Sequence, residues 1–327
     1  MDYETFTEKV RKHIQPFLKP NQNARLKHIL KNNGCEYTSL IIDTEGEPLA
    51  PAIYLENFYD SFLEENIYFN NDQVTEDDRF DAIAHRILLG MEHLAQPDLS
   101  EDLRDYKTVR DRICLKLVSR SENVDLLKHT PSIAFHDLCV LFFIHLEMSD
   151  RTFGCILLKE EQFLKWNLTP TALYPVALEN TMRIFPAELC ALQSVLLSMC
   201  KNDPDDTQEA HNRDTMKKIC DYSGDAWQAP KNPMIHQSMV LTNKNKYFGA
   251  TAVLYPQLLN RIGDALQGSY YLIPSSVHEM LILPSSIGID SREIDEMIRE
   301  INKTEVSAEE VLGTHCYYFD YKSYALI

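Results

Sequence analysis

The longest apolar run in the sequence, LCVLFFI from Leu138 to Ile144, is only seven residues long. A membrane-crossing helix needs roughly 20 such residues, so this run is expected in the core of a soluble protein, as a strand. Other segments share that character. EYTSLIID, TVRDRICLKLVS, TFGCILLK, MVLTN, YYLIP, HEMLILP and THCYYFDY all read as strands, and the central run extends to a single strand AFHDLCVLFFIHLE.

Helical spacing fills most of the remainder. Phe6, Val10, Ile14 and Phe17 fall on one helix face that Pro16 and Pro20 close. Leu26, Ile29 and Leu30 suggest a second short helix, stopped by NNG. A helix from Ile53 would turn Leu55, Tyr59, Phe62 and Leu63 inward, and another from Glu76 to Leu94 would bury Phe80, Ile83, Ile87, Leu88 and Met91. Thr169 with Pro170 forms a cap and first-turn proline, and Pro186 opens a further helix. Helices are also expected from Gly249 to Leu266 and after a cap at Asp290 or Ser291. The class is α+β, a mixed β-sheet with packed helices and a helical N-terminal third. The expected organisation is a mainly helical region 1–100, an α+β region 101–200, an acidic insertion, lid or linker at 201–237, and a C-terminal α+β region 238–327 packing with 101–200.

Composition narrows the function classes. Hydrophobic residues at 44% and charged residues at 25% are globular values. The charged N-terminal stretch has no apolar segment of signal-peptide type, and the expected compartment is the cytoplasm. A formal charge of −17 opposes direct binding to nucleic acid or to an anionic membrane. The eight cysteines show no C-x2-C pair, and several, Cys139 and Cys155 among them, sit in apolar segments as small reduced hydrophobes.

Four stretches in order, NNGCEYTSLIIDTEGEPLAPAIYLENFY, KLVSRSENVDLLKHTP, ALENTMRIFPAE and VLTNKNKYFGATAVLYPQLL leading into LIPSSVHE, resemble a domain-of-unknown-function family common in gut Clostridia and other Firmicutes. The second half is distantly similar to the YtpQ-like family, in which a P-S-R-D corner follows. Here the corner reads Pro274, Ser275, Ser276, then His278 and Glu279, without the Arg-Asp pair. The resemblance implies a bacterial source and a shared fold, and no reaction.

The candidate binding residues are Ser275, Ser276, His278, Glu279, Arg183 and Asn180. In a regular strand Ser276 and His278 share one face and Ser275 and Glu279 the other, so a nucleophile, base and orienting group cannot all meet. The favoured reading is a polar β-ribbon corner whose hydroxyls satisfy backbone groups. Asn180 and Arg183 close a helix, where an arginine complements the helix dipole or clamps an anion. Asp81, His85, Glu92 and His93 fit a solvated helix face rather than a metal site. His136 and His145, nine apart, fall on opposite faces of a regular strand. The aromatic set Tyr317, Tyr318, Phe319 and Tyr321 suits sheet packing. No phosphate loop is present.

The expected function is therefore a cofactor-free, metal-free cytosolic protein that binds or regulates a protein partner with a basic surface. Two alternatives stand beside it. One is a hydrolase-type enzyme assembled around Ser275, His278 and Glu279, with Cys155 as a further candidate. The other is an acidic nucleic-acid mimic or anti-defence factor. If the cysteines are reduced, alkylation under denaturing, non-reducing conditions followed by mass spectrometry should label all eight. Two or more native disulfides would contradict a reducing compartment.

Overall fold

The structure is a computed structural model that describes residues 1–46, 50, 52–68, 75–93, 104–149, 152–193, 218–222 and 237–327. The chain divides into two compact units, Met1–Leu103 with Leu146–Gly154, and Arg104–His145 with Cys155–Ile327.

In the first unit, α1 (Tyr3–Ile14) begins at Asp2, whose carboxylate accepts from the Thr5 amide at 2.8 Å, and it carries Arg11, Lys12 and His13 in its last turn. Phe6, Val10 and Ile14 are fully buried, but Phe17 is 42% exposed. The α-helix ends at Ile14, and the 3-10 turn Gln15–Phe17 around Pro16 takes Phe17 off the buried face.

The short helix expected at Leu26 is instead a strand, β1 (Gln22–Leu30), paired antiparallel along its whole length with β2 (Glu36–Thr44). A nine-residue helix is marginal alone, whereas the ladder from Gln22↔Thr44 to Leu30↔Glu36 satisfies one backbone edge at every second residue. NNG is thus a hairpin connection: Asn33 and Gly34 take positive φ of 57° and 69°. β3 (Ala52–Tyr54) completes the three-stranded sheet before α2 (Glu56–Tyr68) and α3 (Glu76–His93). The rings of Phe6, Phe62 and Phe80 meet at 5.3–5.7 Å over Leu40, Ile42, Leu55, Ile83 and Ile87. Leu63, expected inward, lies one step off the Leu55–Tyr59–Phe62 stripe and stays exposed. Glu56 Oε1 accepts from both Tyr3 Oη (2.6 Å) and the Thr38 amide (2.8 Å). Burial and then the Glu56 carboxylate raise the Tyr3 hydroxyl above its ordinary range.

The second unit carries two sheets. After α4 (Tyr106–Val109), β4 (Ile113–Ser119) pairs with β6 (Leu138–Ser149). α5 (Val124–Leu127) precedes β5 (Ser132–Phe135), which pairs with β6 from the other side, and β7 (Thr152–Leu157) also pairs with β6. The single strand expected over AFHDLCVLFFIHLE is therefore a hairpin, turned at His136 and Asp137, with His136 at φ 51°. Cys139 is buried as expected, but Cys155 on β7 is exposed.

α6 (Glu160–Trp166) and α7 (Pro170–Ile184) follow, and Thr169 Oγ1 caps α7 by accepting from the Ala172 amide at 3.2 Å. Pro186 opens a strand, β8 (Ala187–Ala191), not the expected helix. β8 is flanked on both edges, by β9 (Lys218–Tyr222) and β10 (Met239–Asn243), and this pairing overrides local helix preference. Five residues of the segment 201–237 thus form a strand; its remainder, apart from residue 237, lies outside the described residues.

The helix expected from Gly249 to Leu266 is broken. A 3-10 helix spans Gly249–Leu254, and α8 (Leu258–Leu266) starts after Pro256, which has no amide to donate. β11 (Tyr270–Ser276), β12 (Glu279–Pro284), α9 (Ser291–Thr304, capped by Asp290), β13 (Tyr317–Asp320) and β14 (Ala325–Leu326) complete the chain. The seven-stranded sheet has the order β14-β13-β11-β12-β10-β8-β9, with antiparallel neighbours. The fold is α+β.

At the break before α8, Tyr255 is buried, and its hydroxyl donates to the Phe185 carbonyl at 2.6 Å. Tyr255→Phe keeps the ring and removes that donor, so it should cost about 1–2 kcal/mol in denaturant unfolding at unchanged m-value. A neutral result would mean the bond contributes nothing to the joint.

Candidate functional site

The polar corner is a tight turn. β11 ends with a bulge between Pro274 and Ser276, Val277 and His278 form the turn, and Glu279 opens β12 opposite Ser276. His278 is therefore a turn residue, and strand alternation does not govern where its ring points. Ser275 Oγ donates to Glu279 Oε1 at 3.1 Å, so those two side chains do share a side. Ser276 Oγ accepts from the backbone amide of His278 at 3.1 Å and is not bonded to its ring.

The His278 ring is held at both nitrogens. Nδ1 accepts from the Phe248 amide at 3.1 Å, and Nε2 lies 3.4 Å from Glu310 Oε1. An amide can only donate, so Nδ1 supplies its lone pair and Nε2 carries the proton of the neutral ring. That tautomer leaves no ring lone pair for a serine.

The partner loop explains the arrangement. Asn243 is buried, its Oδ1 accepts from the amides of Asn245 (3.0 Å) and Tyr247 (3.3 Å), and its Nδ2 donates to the Tyr247 carbonyl at 2.7 Å. Lys246 and Phe248 take positive φ of 55° and 53°, which presents the Phe248 amide to His278. At Gly249 an added Cβ would lie 2.3 Å from both the His278 carbonyl oxygen and Thr242 Oγ1, so a side chain cannot enter without moving the turn. Thr242 Oγ1 itself donates to the His278 carbonyl at 2.9 Å. Phe248 packs 5.3 Å from Phe143, with the Lys116 ammonium 5.0 Å from its ring centroid and the His278 ring stacked at 6.1 Å. The sequence places a turn at KNK after the strand MVLTN and shows no phosphate loop in GATAV, but it assigns no role to Asn243 or Gly249. The turn-forming composition of TNKNKYFG was the signal for Asn243 and Gly249.

Asn180 and Arg183 occupy a second locus, at the start of β4. Asn180 Nδ2 donates to the carbonyls of Arg110 (2.8 Å) and Ile113 (3.0 Å), and Arg183 Nη2 donates to the Asp111 carbonyl (2.5 Å) and to Asn180 Oδ1 (3.2 Å). Beside them Thr181 Oγ1 donates to the Ala177 carbonyl at 2.6 Å and accepts from the Leu115 amide at 2.9 Å. These groups bind protein backbone, and the structure does not bring them to the His278 corner. Burial pushes the Cys114 thiol up to about 12, against the Thr181 hydrogen bond and the Arg183 charge, so it is protonated and unreactive at neutral pH.

The other candidates disperse. Asp81 accepts from the His13 ring at 2.8 Å, and His85 packs on Phe17 at 4.5 Å; the side chains of Glu92 and His93 lie outside those described. His145 packs against Phe185, and His136 against Tyr317. Tyr317 donates to Asp137 Oδ1 at 2.5 Å, which also lies 3.6 Å from His315 Nε2; burial and then Asp137 raise the Tyr317 hydroxyl far above its usual range. Tyr270 stacks on Phe319 and Tyr271 on Tyr318, which is sheet packing. Burial and Asp295 push the Cys316 thiol up to about 12. Among the described residues no group of three or more His, Cys, Asp or Glu could hold a metal ion, and no helix is long and apolar enough to cross a membrane.

Fold and site define an α+β protein whose buried polar side chains tie loops and strand ends to one another. The chain belongs to a family of unknown function, DUF5688, whose model matches residues 3–321. Searches of curated proteins and of solved structures find no match.

If His278 serves as the acceptor for the Phe248 amide, His278→Ala should destabilise by about 1–3 kcal/mol. His278→Asn, whose amide oxygen can reach the position of Nδ1, should recover a good part of that loss. Equal melting temperatures for wild type and both variants would contradict the structural role.

Proposed function

We propose that this protein acts in the cytoplasm, without a cofactor, by binding a protein partner that presents a basic surface. The observation that carries this reading is the outer face of α9. The helix anchors itself through buried Ile294 and Ile298, while Met297 and Ile301, one turn apart, are 44% and 51% exposed. Glu293, Glu296 and Glu300 are exposed beside that apolar ridge. Such a face offers dispersion and hydrophobic area at its centre and carboxylates around it, which suits a partner with apolar anchors framed by Lys and Arg. The chain-wide charge of −17 would add long-range steering towards the same partner.

The engaged lone pair of His278 weighs against a hydrolytic centre at Ser275, His278 and Glu279, because a general base needs that pair free. A nucleic-acid mimic relies on carboxylates in place of phosphates, whereas the centre of the α9 ridge, Met297 and Ile301, is apolar. Paired capture from a lysate of the source organism, with wild type and the Met297→Asp/Ile301→Asp variant as baits, tests the reading. Basic proteins retained by wild type should be lost from the variant, while its melting temperature stays within a few degrees because both sites are exposed. The same proteins on both baits, or no basic protein on either, would contradict it.

A further inference from the structure

The three-stranded sheet of the N-terminal unit has an open edge whose phase can be derived. The Glu45 amide donates to the Asn21 carbonyl at 2.8 Å, and the Lys31 amide to the Cys35 carbonyl at 2.7 Å. These bonds make the odd-numbered residues from 21 to 31 the hydrogen-bonded partners of β2, so the even-numbered residues of β1 point their amides and carbonyls away from the sheet. Two outward amides agree with this phase: Gln22 donates to the Lys19 carbonyl at 2.9 Å, and Ala24 to Gln15 Oε1 at 3.1 Å. Beyond them, the outward backbone groups of Leu26, His28 and Leu30 meet no partner among the described residues.

The side chains at this edge state what would fit. Residues 9–35 contain seven Lys or Arg and no Asp or Glu, in a chain whose net charge is −17. Arg25 and Lys27 are exposed on one face of β1; Arg25 is ion-paired with Asp43 of β2, which leaves Lys27 as the cation that meets no carboxylate among the described residues. On the other face Leu26 packs into the core, and Leu30 at the end of the strand is 40% exposed. A strand laid along the edge would set alternate residues beside Arg25 and Lys27 and the intervening ones beside Leu26 and Leu30.

We propose that the β1 edge is a strand-addition site for an extended segment of a partner protein in which acidic and apolar residues alternate. Backbone pairing to Leu26, His28 and Leu30 supplies the attachment, and the basic face selects the sequence. A second copy of this chain fits poorly. Antiparallel self-pairing centred on His28 sets Lys27 of one copy opposite Ile29 of the other and the Asp43-paired Arg25 opposite Lys31, so neither lysine gains a carboxylate partner. Lysines on an exposed edge also discourage aggregation, a role that requires no ligand and that the experiment separates from docking. Binding at β1 does not require the α9 face, so the two tests fail independently.

Fluorescence anisotropy with the full chain provides the test, using a labelled short peptide of alternating Glu and Val and a Lys/Val counterpart as probes. The Glu/Val peptide should bind saturably and about tenfold more tightly than the Lys/Val peptide. Lys27→Glu should narrow or invert that preference. His28→Pro removes an amide that β2 does not use, so the sheet should persist while Glu/Val affinity falls at least about tenfold. Should His28→Pro fail to fold, the Lys27→Glu result decides. Absence of saturable binding, equal binding of both peptides, or unchanged affinity in both variants would overturn the proposal. So would sedimentation showing a wild-type dimer that His28→Pro dissolves, since the edge would then be a self-association surface.

Discussion

The buried amide of Asn180 is the hinge pin of the larger unit. One side chain on α7 satisfies two carbonyls where the chain enters β4, and its neighbour Thr181 takes the Leu115 amide one step further in. A buried polar group without a partner costs about 1–3 kcal/mol, so both the helix and the strand need this register. α7 then delivers Phe185, whose carbonyl receives the Tyr255 hydroxyl, and whose ring packs against Phe143 of β6. Phe143 in turn supports Phe248 and the loop that presents its amide to His278. The polar joint at β4 and the corner at β11–β12 are thus linked through one run of packed aromatic rings.

That chain of dependence alters how the polar residues read. Ser276, His278, Thr242 and Asn243 each satisfy a backbone group at a place where strands end or the backbone takes a left-handed conformation. Gly249 is required by the same crowding, since Thr242 and the His278 carbonyl occupy the space of its Cβ. Two of the four stretches that carry the family resemblance, the second through Lys116 and the fourth through Phe248 and His278, meet at this one position. Their bonds are those of assembly, and the two proposed contact surfaces, the ridge of α9 and the edge of β1, are built from other elements.

The α+β class and the long periodic helices were legible in the sequence because burial there follows local spacing, as for Phe6, Val10 and Ile14 or Phe80, Ile83 and Ile87. The failures share a cause. β1 and β8 are strands because of what they pair with, and four apolar residues in nine, or a proline before AELCA, do not carry that information. NNG and the pair His136–Asp137 were turn signals passed over because the flanking apolar pattern suggested a stop or a continuous strand. At the corner, Ser275 and Glu279 were rightly placed on one side, but the ring of His278 could not be placed. Its partner, the Phe248 amide, lies 30 residues away in sequence.

The tautomer of His278 tests the account most directly. Long-range proton–nitrogen correlation spectra, with His278→Asn used to assign the ring, report which nitrogen carries the proton when the imidazole is neutral. A bond from the Phe248 amide requires an unprotonated Nδ1 and a protonated Nε2. A ring protonated at Nδ1, with its Nε2 lone pair free, would contradict the structural corner and return His278 to the list of candidate bases.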